Sequence, residues 1–120
     1  MKILVTGAKG FIAGYLIEEL LQNDYYVIGI DNNSKYGQLT KSFERHPKYE
    51  FIEGDAKHLP LMKQAIEKCD HFIAGAAMVG GISYFHEYAY DLIAENERIT
   101  AAAFDAALWA NNKHRLRKIT

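Results

Sequence analysis

The stretch that decides the fold is Met1–Gly14, MKILVTGAKGFIAG. An apolar, strand-like run stops at Gly7, a second glycine follows at Gly10, and Phe11 opens a run with helical spacing. A strand, a glycine turn and a helix in this order present free amide groups and the positive end of a helix dipole to an anion. The sequence therefore predicts a pyrophosphate site with four candidate residues: Gly7, Gly10, Phe11 and Ile12.

A second apolar run, Tyr25–Ile30, ends at Asp31. An acidic side chain about 20 residues beyond a glycine loop accepts a hydrogen bond from a ribose hydroxyl of a dinucleotide. Its charge also repels the 2′-phosphate of NADP, so the pattern favours NAD as cofactor, with Asn32 beside Asp31 at the strand end. The alternative is a solvated aspartate that begins a turn, because Asp31–Ser34 is rich in turn-forming residues.

Strand and helix patterns alternate along the whole chain. We predict strands at 2–6, 25–31, 49–53 and 71–77, helices at 11–22, 59–68 and 86–111, and an irregular connection at 32–48 with a short helix within 38–45. The alternation favours an α/β fold, a parallel sheet with right-handed crossovers and strand order 3-2-1-4. Ligands of such sheets bind at the carboxyl ends of the strands, which is where the candidate residues fall.

Further candidates follow the third and fourth strands: Asp55 and Ala56 after the third, and Ala74, Gly75 and Ala76 at the end of the fourth. Asp55 has an equally good interpretation as the N-cap of the next helix, because aspartate is a favoured cap. In the last predicted helix, Asn96 lies on the apolar stripe. A buried amide needs hydrogen-bond partners, either a neighbouring loop backbone or the cofactor, and the sequence leaves both open.

Together these motifs resemble the extended short-chain dehydrogenase/reductases, and among them the NAD-dependent sugar-nucleotide epimerases and dehydratases. The resemblance rests on Thr6–Ile12, Gly29–Asn32, Glu53–Asp55, Ala76–Ala77 and Asn96, which occur in the family's order along nearly the whole chain. It implies a Rossmann-type, three-layer αβα domain that binds NAD.

The resemblance also implies roles for single residues. The family's aspartate at the position of Asp55 faces the adenine amino group, and the backbone amide at Ala56 meets a ring nitrogen. The asparagine at the position of Asn96 belongs to the active-site surroundings. Two positions depart from the family pattern: Ala13 replaces the third loop glycine, a tolerated variant, and Ala74 stands where a histidine is frequent.

The catalytic pair that the resemblance implies, Tyr-x-x-x-Lys, is absent, since no tyrosine of the chain has a lysine four positions later. We therefore interpret residues 1–120 as a partial NAD-binding Rossmann domain, truncated before a fifth strand that starts at Lys118. We expect this chain alone not to turn over a sugar nucleotide, whereas the parent enzyme would take a nucleotide-sugar substrate. The alternative is a non-catalytic dinucleotide-sensing or protein-interaction module.

Composition argues against several other classes. The chain of 120 residues has a formal net charge of −1, which does not favour a nucleic-acid partner, and the basic cluster Lys113–Lys118 suits a helix C-terminus. The single cysteine, Cys69, is expected in the core, and the five histidines lack zinc-site spacing, so we predict no metal. No apolar run approaches the length of a membrane span, so we expect a cytoplasmic protein without a membrane contact.

The end of the chain predicts self-association. Only Arg117–Thr120 remain to pair with the fourth strand, and we expect them to be too few to form much of a ladder. An apolar strand edge without proline or inward charge invites pairing with another chain, so we predict a homodimer, formed through strand four or by exchange of terminal segments, with the long last helix as a second adhesive surface.

Overall fold

The computed structural model describes residues 1–120, and it has the predicted α/β class. The elements are β1 (Lys2–Thr6), α1 (Phe11–Gln22), β2 (Tyr26–Asp31), β3 (Tyr49–Glu53), α2 (Leu59–Ile66), β4 (His71–Ala74), α3 (Ile82–Glu87), α4 (Ala89–His114) and β5 (Lys118–Ile119). All strand pairs are parallel, in the order β3-β2-β1-β4-β5. None of the helices combines the length and the apolar character needed to cross a membrane.

Alternate residues of the central strand divide the core into two halves. Ile3 and Val5 of β1 pack in one buried cluster with Ile17 and Leu21 of α1, whereas Leu4 points into the other cluster with residues of α2 and α4. The buried residues of α4 beyond its second turn are alanines, whose small side chains let this helix approach α2 and the sheet closely. The three-layer αβα arrangement is thereby confirmed.

Three predicted elements differ from the structure by more than one residue at a boundary. β4 ends at Ala74 instead of 77, because the Gly75 amide bonds back to the Ile73 carbonyl at 3.1 Å and the Ala76 amide bonds to the Thr6 side chain at 3.2 Å. α2 ends at Ile66, since Lys68 takes a positive φ of 66°. The predicted helix 86–111 is two helices, interrupted where Tyr88 leaves helical geometry with φ −122° and ψ 34°.

The connection between β2 and β3, residues 32–48, contains turns and no helix, so the predicted short helix within 38–45 is wrong. Two successive turns replace it: the Glu44 amide bonds to the Lys41 carbonyl at 3.2 Å and the His46 amide to the Phe43 carbonyl at 2.9 Å. Phe43 is buried and meets Tyr49 edge to face at 4.9 Å. Packing of this aromatic side chain and the following Pro47 favour the compact turn over a helix.

The expectation of an unpaired fourth-strand edge is also wrong. β5 pairs with β4 through His71–Lys118 and Phe72–Ile119. Hydrogen bonds extend the pairing on both sides, from the Arg117 amide to the Asp70 carbonyl (2.8 Å) and from the Ala74 amide to the Thr120 carbonyl (2.7 Å). The short segment therefore covers the edge of β4 along its whole length, because β4 itself spans only four residues.

Candidate functional site

A cleft of about 660 Å³ lies at the carboxyl ends of β1 to β4. It separates the loop after β1 from the connection after β2 and from the start of the segment after β4. The structure brings ten of the residues predicted from the sequence together around this cleft: Gly7, Gly10, Phe11, Ile12, Asp31, Asn32, Asp55, Ala56, Gly75 and Ala76. The convergence follows from the parallel sheet, since the ends of β1 and β4 mark the point where the strand order reverses.

The glycine loop, Gly7–Gly10, is fixed by backbone contacts on both sides. The amides of Gly7 and Ala8 both donate to the Ile30 carbonyl of β2, at 2.8 and 3.1 Å. Gly7 has a positive φ of 73°, and a Cβ there would lie 2.7 Å from the Gly75 carbonyl oxygen. Only glycine meets both requirements, so the loop passes between β2 and the end of β4 without strain.

The start of α1 presents unpaired backbone amides beside the glycine loop. The first hydrogen bond of the helix runs from the Gly14 amide to the Gly10 carbonyl at 3.0 Å, and Gly10 as N-cap provides no side-chain acceptor. The amides of Phe11, Ile12 and Ala13 therefore have no protein partner. Such amides, together with the positive end of the helix dipole, form an anion site.

Asp31 lies at the end of β2 and borders the cleft. Its Oδ2 accepts the Lys9 amide at 2.9 Å, and its Oδ1 accepts the Asn33 amide at 2.8 Å. The carboxylate thus joins the glycine loop to the β2–β3 connection. Each carboxylate oxygen has a second lone-pair site, so Asp31 retains acceptor capacity toward the cleft.

Asp55 closes a turn instead of capping a helix. Its Oδ1 accepts the Lys57 amide at 2.8 Å, while the N-cap of α2 is His58, so the alternative interpretation of Asp55 as N-cap is wrong. The Lys57 ammonium then reaches across to α4, donating to Glu95 Oε2 at 2.6 Å and lying 3.4 Å from Asp55 Oδ2. The hydrogen bond to Glu95, with the two nearby carboxylates, raises the pKa of Lys57 despite partial desolvation.

Two predicted site residues lie away from the cleft. Ala74 belongs to β4 and uses its amide to pair with Thr120. Asn96 holds both backbone groups of Met78: its Oδ1 accepts the Met78 amide at 2.7 Å and its Nδ2 donates to the Met78 carbonyl at 3.0 Å. The loop backbone is thus the partner of this amide. Asn96 also borders a second, neighbouring cavity of about 630 Å³ between α4 and the segment after β4.

Other cleft residues were missed from the sequence: Lys9, Ser34, Lys35, Tyr36 and Glu95. Ser34, Lys35 and Tyr36 come within five residues after Asp31, so the sequence already indicates that they follow a strand end. Lys9 lies inside the glycine motif itself, yet its side chain is buried with only 6% of the residue exposed. Nothing in a sequence pattern indicates that a loop lysine turns inward.

The fold and cleft define a Rossmann-type nucleotide-binding domain. The sequence profile of the NAD dependent epimerase/dehydratase family matches residues 3–118, so the chain belongs to this family, and the resemblance read from its motifs is confirmed. Solved structures agree in fold. A dTDP-glucose 4,6-dehydratase from Streptomyces venezuelae, solved with NAD bound, superposes with a TM-score of 0.83 at 24% identity over 92% of this chain and 37% of that one.

Two UDP-glucose 4-epimerases are also similar. The enzyme from Bifidobacterium longum, in complex with NAD⁺ and UDP, has 27% identity and a TM-score of 0.78 over 99% of this chain and 36% of its own. The enzyme from Thermotoga maritima, with UDP-glucose, has 21% identity and a TM-score of 0.78 over the same shares of the two chains. The chain therefore spans little more than a third of the length of these enzymes.

Proposed function

We propose that residues 1–120 are the NAD-binding portion of a sugar-nucleotide epimerase or dehydratase. One observation carries the proposal: the unpaired amides at the start of α1 and the carboxylate of Asp31 border the same cleft. A diphosphate and a ribose hydroxyl are the groups that these two features recognise. The NAD-bound dehydratase and epimerase structures support NAD as the ligand.

The residues present fit a dinucleotide. Gly7 and Gly10 leave the floor of the cleft free of side chains, and a Cβ on Gly10 would lie 3.0 Å from the Gly7 carbonyl oxygen. The cleft volume of about 660 Å³ falls within the range of small-molecule sites. No charged side chain projects from the start of α1 to compete with an anion.

The candidate residues divide into groups by the part of the dinucleotide they would hold. The amides of Phe11 and Ile12, with Gly7 and Gly10, would bind the pyrophosphate. Asp31 and Asn32 would bind the adenosine ribose, and Asp55 with the Ala56 amide the adenine. The remaining candidates on the β4 side are Ala74, Gly75, Ala76 and Asn96, of which Asn96 would act by holding the Met78 backbone.

When bound, NAD supplies a hydride acceptor that takes a hydride from the sugar and later returns it. The residues of this chain bind and orient the dinucleotide, and none of them is assigned a catalytic role. The general base would come from a Tyr-x-x-x-Lys pair, which is not among these 120 residues. The nucleotide-sugar substrate is accordingly a partner of the whole enzyme.

Calorimetric titration of the chain with NAD and with NADP tests the proposal. We expect NAD to bind more tightly, because the Asp31 carboxylate accepts from a ribose hydroxyl and repels a 2′-phosphate. Equal affinity for both dinucleotides would contradict the role of Asp31, and binding of neither would contradict the proposal itself.

The proposed self-association uses the outer face of α4, since the edge of β4 is covered. Phe104 and Leu108 lie one turn apart on this helix and are each more than half exposed. Exposed apolar residues at helical spacing favour burial against a second copy. Light scattering at several concentrations should detect a dimer that Leu108→Glu dissociates, while Tyr26→Lys, at an exposed site on β2, should leave it intact.

A further inference from the structure

We infer that Lys9 is a positioning residue of the cofactor site: its half-buried ion pair with Glu44 holds the β2–β3 connection as one wall of the cleft. This inference rests on the proposed binding of NAD. It concerns a side chain for which neither the glycine motif nor the family resemblance assigns a role.

The surroundings of Lys9 are unusual for a lysine in a loop. Its Nζ donates to the Leu39 carbonyl and forms an ion pair with the Glu44 carboxylate. The Lys9 Nζ also lies 4.5 Å from the centre of the ring of Phe51, a residue of β3. The side chain of Lys9 is only 7% exposed, so these groups together replace the water that an ammonium otherwise keeps.

Glu44 is equally constrained on its side of the pair. Besides Lys9, its Oε1 accepts the Lys41 amide at 3.0 Å, which closes the turn at residues 41–44. Burial disfavours its charged form, but the hydrogen bonds from Lys9 and from the Lys41 amide outweigh burial and lower the pKa of Glu44. Glu44 is therefore ionised at neutral pH.

The position of Lys9 couples two parts of the cleft. Its backbone amide donates to Asp31 Oδ2 at 2.9 Å, while its ammonium fixes residues 39–44. The cleft residues Ser34, Lys35 and Tyr36 lie on the connection between these two attachment points. One residue thus orients the proposed ribose acceptor through its main chain and anchors the adjacent wall through its side chain.

The side-chain role can be separated from the main-chain role by substitution. Lys9→Met removes the ammonium and keeps the amide that holds Asp31, and Glu44→Gln removes the carboxylate charge and keeps an acceptor for the Lys41 amide. The matched control is Glu67→Gln, which removes the charge from the exposed Lys113–Glu67 pair, whose two residues lie outside the β2–β3 connection and outside the cleft.

Two measurements on the 120-residue chain test the inference. Without dinucleotide, trypsin should cut the connection, at Lys35, Lys41 or Arg45, faster in Lys9→Met and Glu44→Gln than in the wild type and Glu67→Gln. With dinucleotide, the Kd for NAD should rise about tenfold in both Lys9→Met and Glu44→Gln, because either substitution detaches the connection from the glycine loop. The Kd for ADP-ribose should rise by the same factor in each variant, because ADP-ribose retains the adenosine end of the dinucleotide.

The double variant Lys9→Met/Glu44→Gln distinguishes a coupled pair from two independent losses. We expect its Kd to match that of either single variant, because the two substitutions remove one interaction. Unchanged trypsin cleavage, or an unchanged Kd in variants whose circular dichroism matches the wild type, would overturn the inference and leave the proposed function standing. A wild-type chain that binds no NAD would instead overturn the proposed function, and the dependence of the site on Lys9 with it.

Discussion

The glycine loop, Gly7–Gly10, and the β2–β3 connection, residues 32–48, both border the cleft but are held by different kinds of contact. The glycine loop is fixed by main-chain hydrogen bonds to Ile30 and by a close approach to Gly75. The longer connection depends on side chains: Asp31 and Asn32 accept amides at its start, and the Lys9–Glu44 pair holds its middle.

This difference explains what each region tolerates. A loop fixed by its main chain needs particular backbone conformations, so the sensitive positions are glycines. A connection fixed by side chains tolerates backbone variation but loses its position when one charged partner is removed. The two regions should therefore respond to different substitutions.

The largest expected effect is the loss of NAD binding in Gly10→Val. A Cβ at Gly10 would lie 3.0 Å from the Gly7 carbonyl oxygen, and a branched side chain would extend into the proposed pyrophosphate position. Calorimetry should detect no binding. Gly14→Ala is the control, because Gly14 lies inside α1 and does not line the cleft, and binding should persist.

Stability should distinguish two glycines that share a left-handed conformation. Gly7 and Gly37 have φ values of 73° and 67°, but a Cβ on Gly7 meets the Gly75 carbonyl oxygen at 2.7 Å, whereas one on Gly37 meets nothing within 4 Å. We expect Gly37→Ala to lower the free energy of unfolding by about 1–2 kcal/mol and Gly7→Ala by about 3 kcal/mol, from strain plus overpacking. Urea unfolding measures both, and equal losses would show that main-chain crowding does not fix the glycine loop.

Asp31→Asn tests the point where the two regions meet. The two carboxylate oxygens of Asp31 accept the backbone amides of Lys9 and Asn33. An asparagine side chain has only one oxygen, so one of these two amides would face the NH₂ group of the asparagine. We expect NAD binding to weaken by about 1–3 kcal/mol and the preference over NADP to shrink. Asp105→Asn, at an exposed position on α4, should change neither quantity. A variant that keeps full NAD selectivity would contradict the ribose role of Asp31.

The same division separates what the sequence could predict from what it could not. Hydrophobic runs and glycine spacing are local signals, so the central strands, α1 and the cleft residues that follow strand ends were predictable. The pairing of β5 with β4 and the inward turn of Lys9 depend on contacts between residues far apart in the chain. Asp55 shows the same limit, because its turn hydrogen bond and a helix cap require the same residue type at nearly the same place.

The smallest expected effect is on acid stability. Because the pKa of Glu44 is lowered in the folded chain from its ordinary value of 4.5, its ionised form stabilises the fold above that value, and this contribution is lost as the pH falls through the lower, folded pKa. Between about pH 6.5 and about pH 3.5, the wild type should therefore lose more of its free energy of unfolding than Glu44→Gln, which has no charge to lose. Urea unfolding across this range measures the difference between the two slopes. Parallel slopes would mean that the Lys9–Glu44 pair contributes nothing to stability, and the connection would then be held by Phe43 packing and turn hydrogen bonds alone.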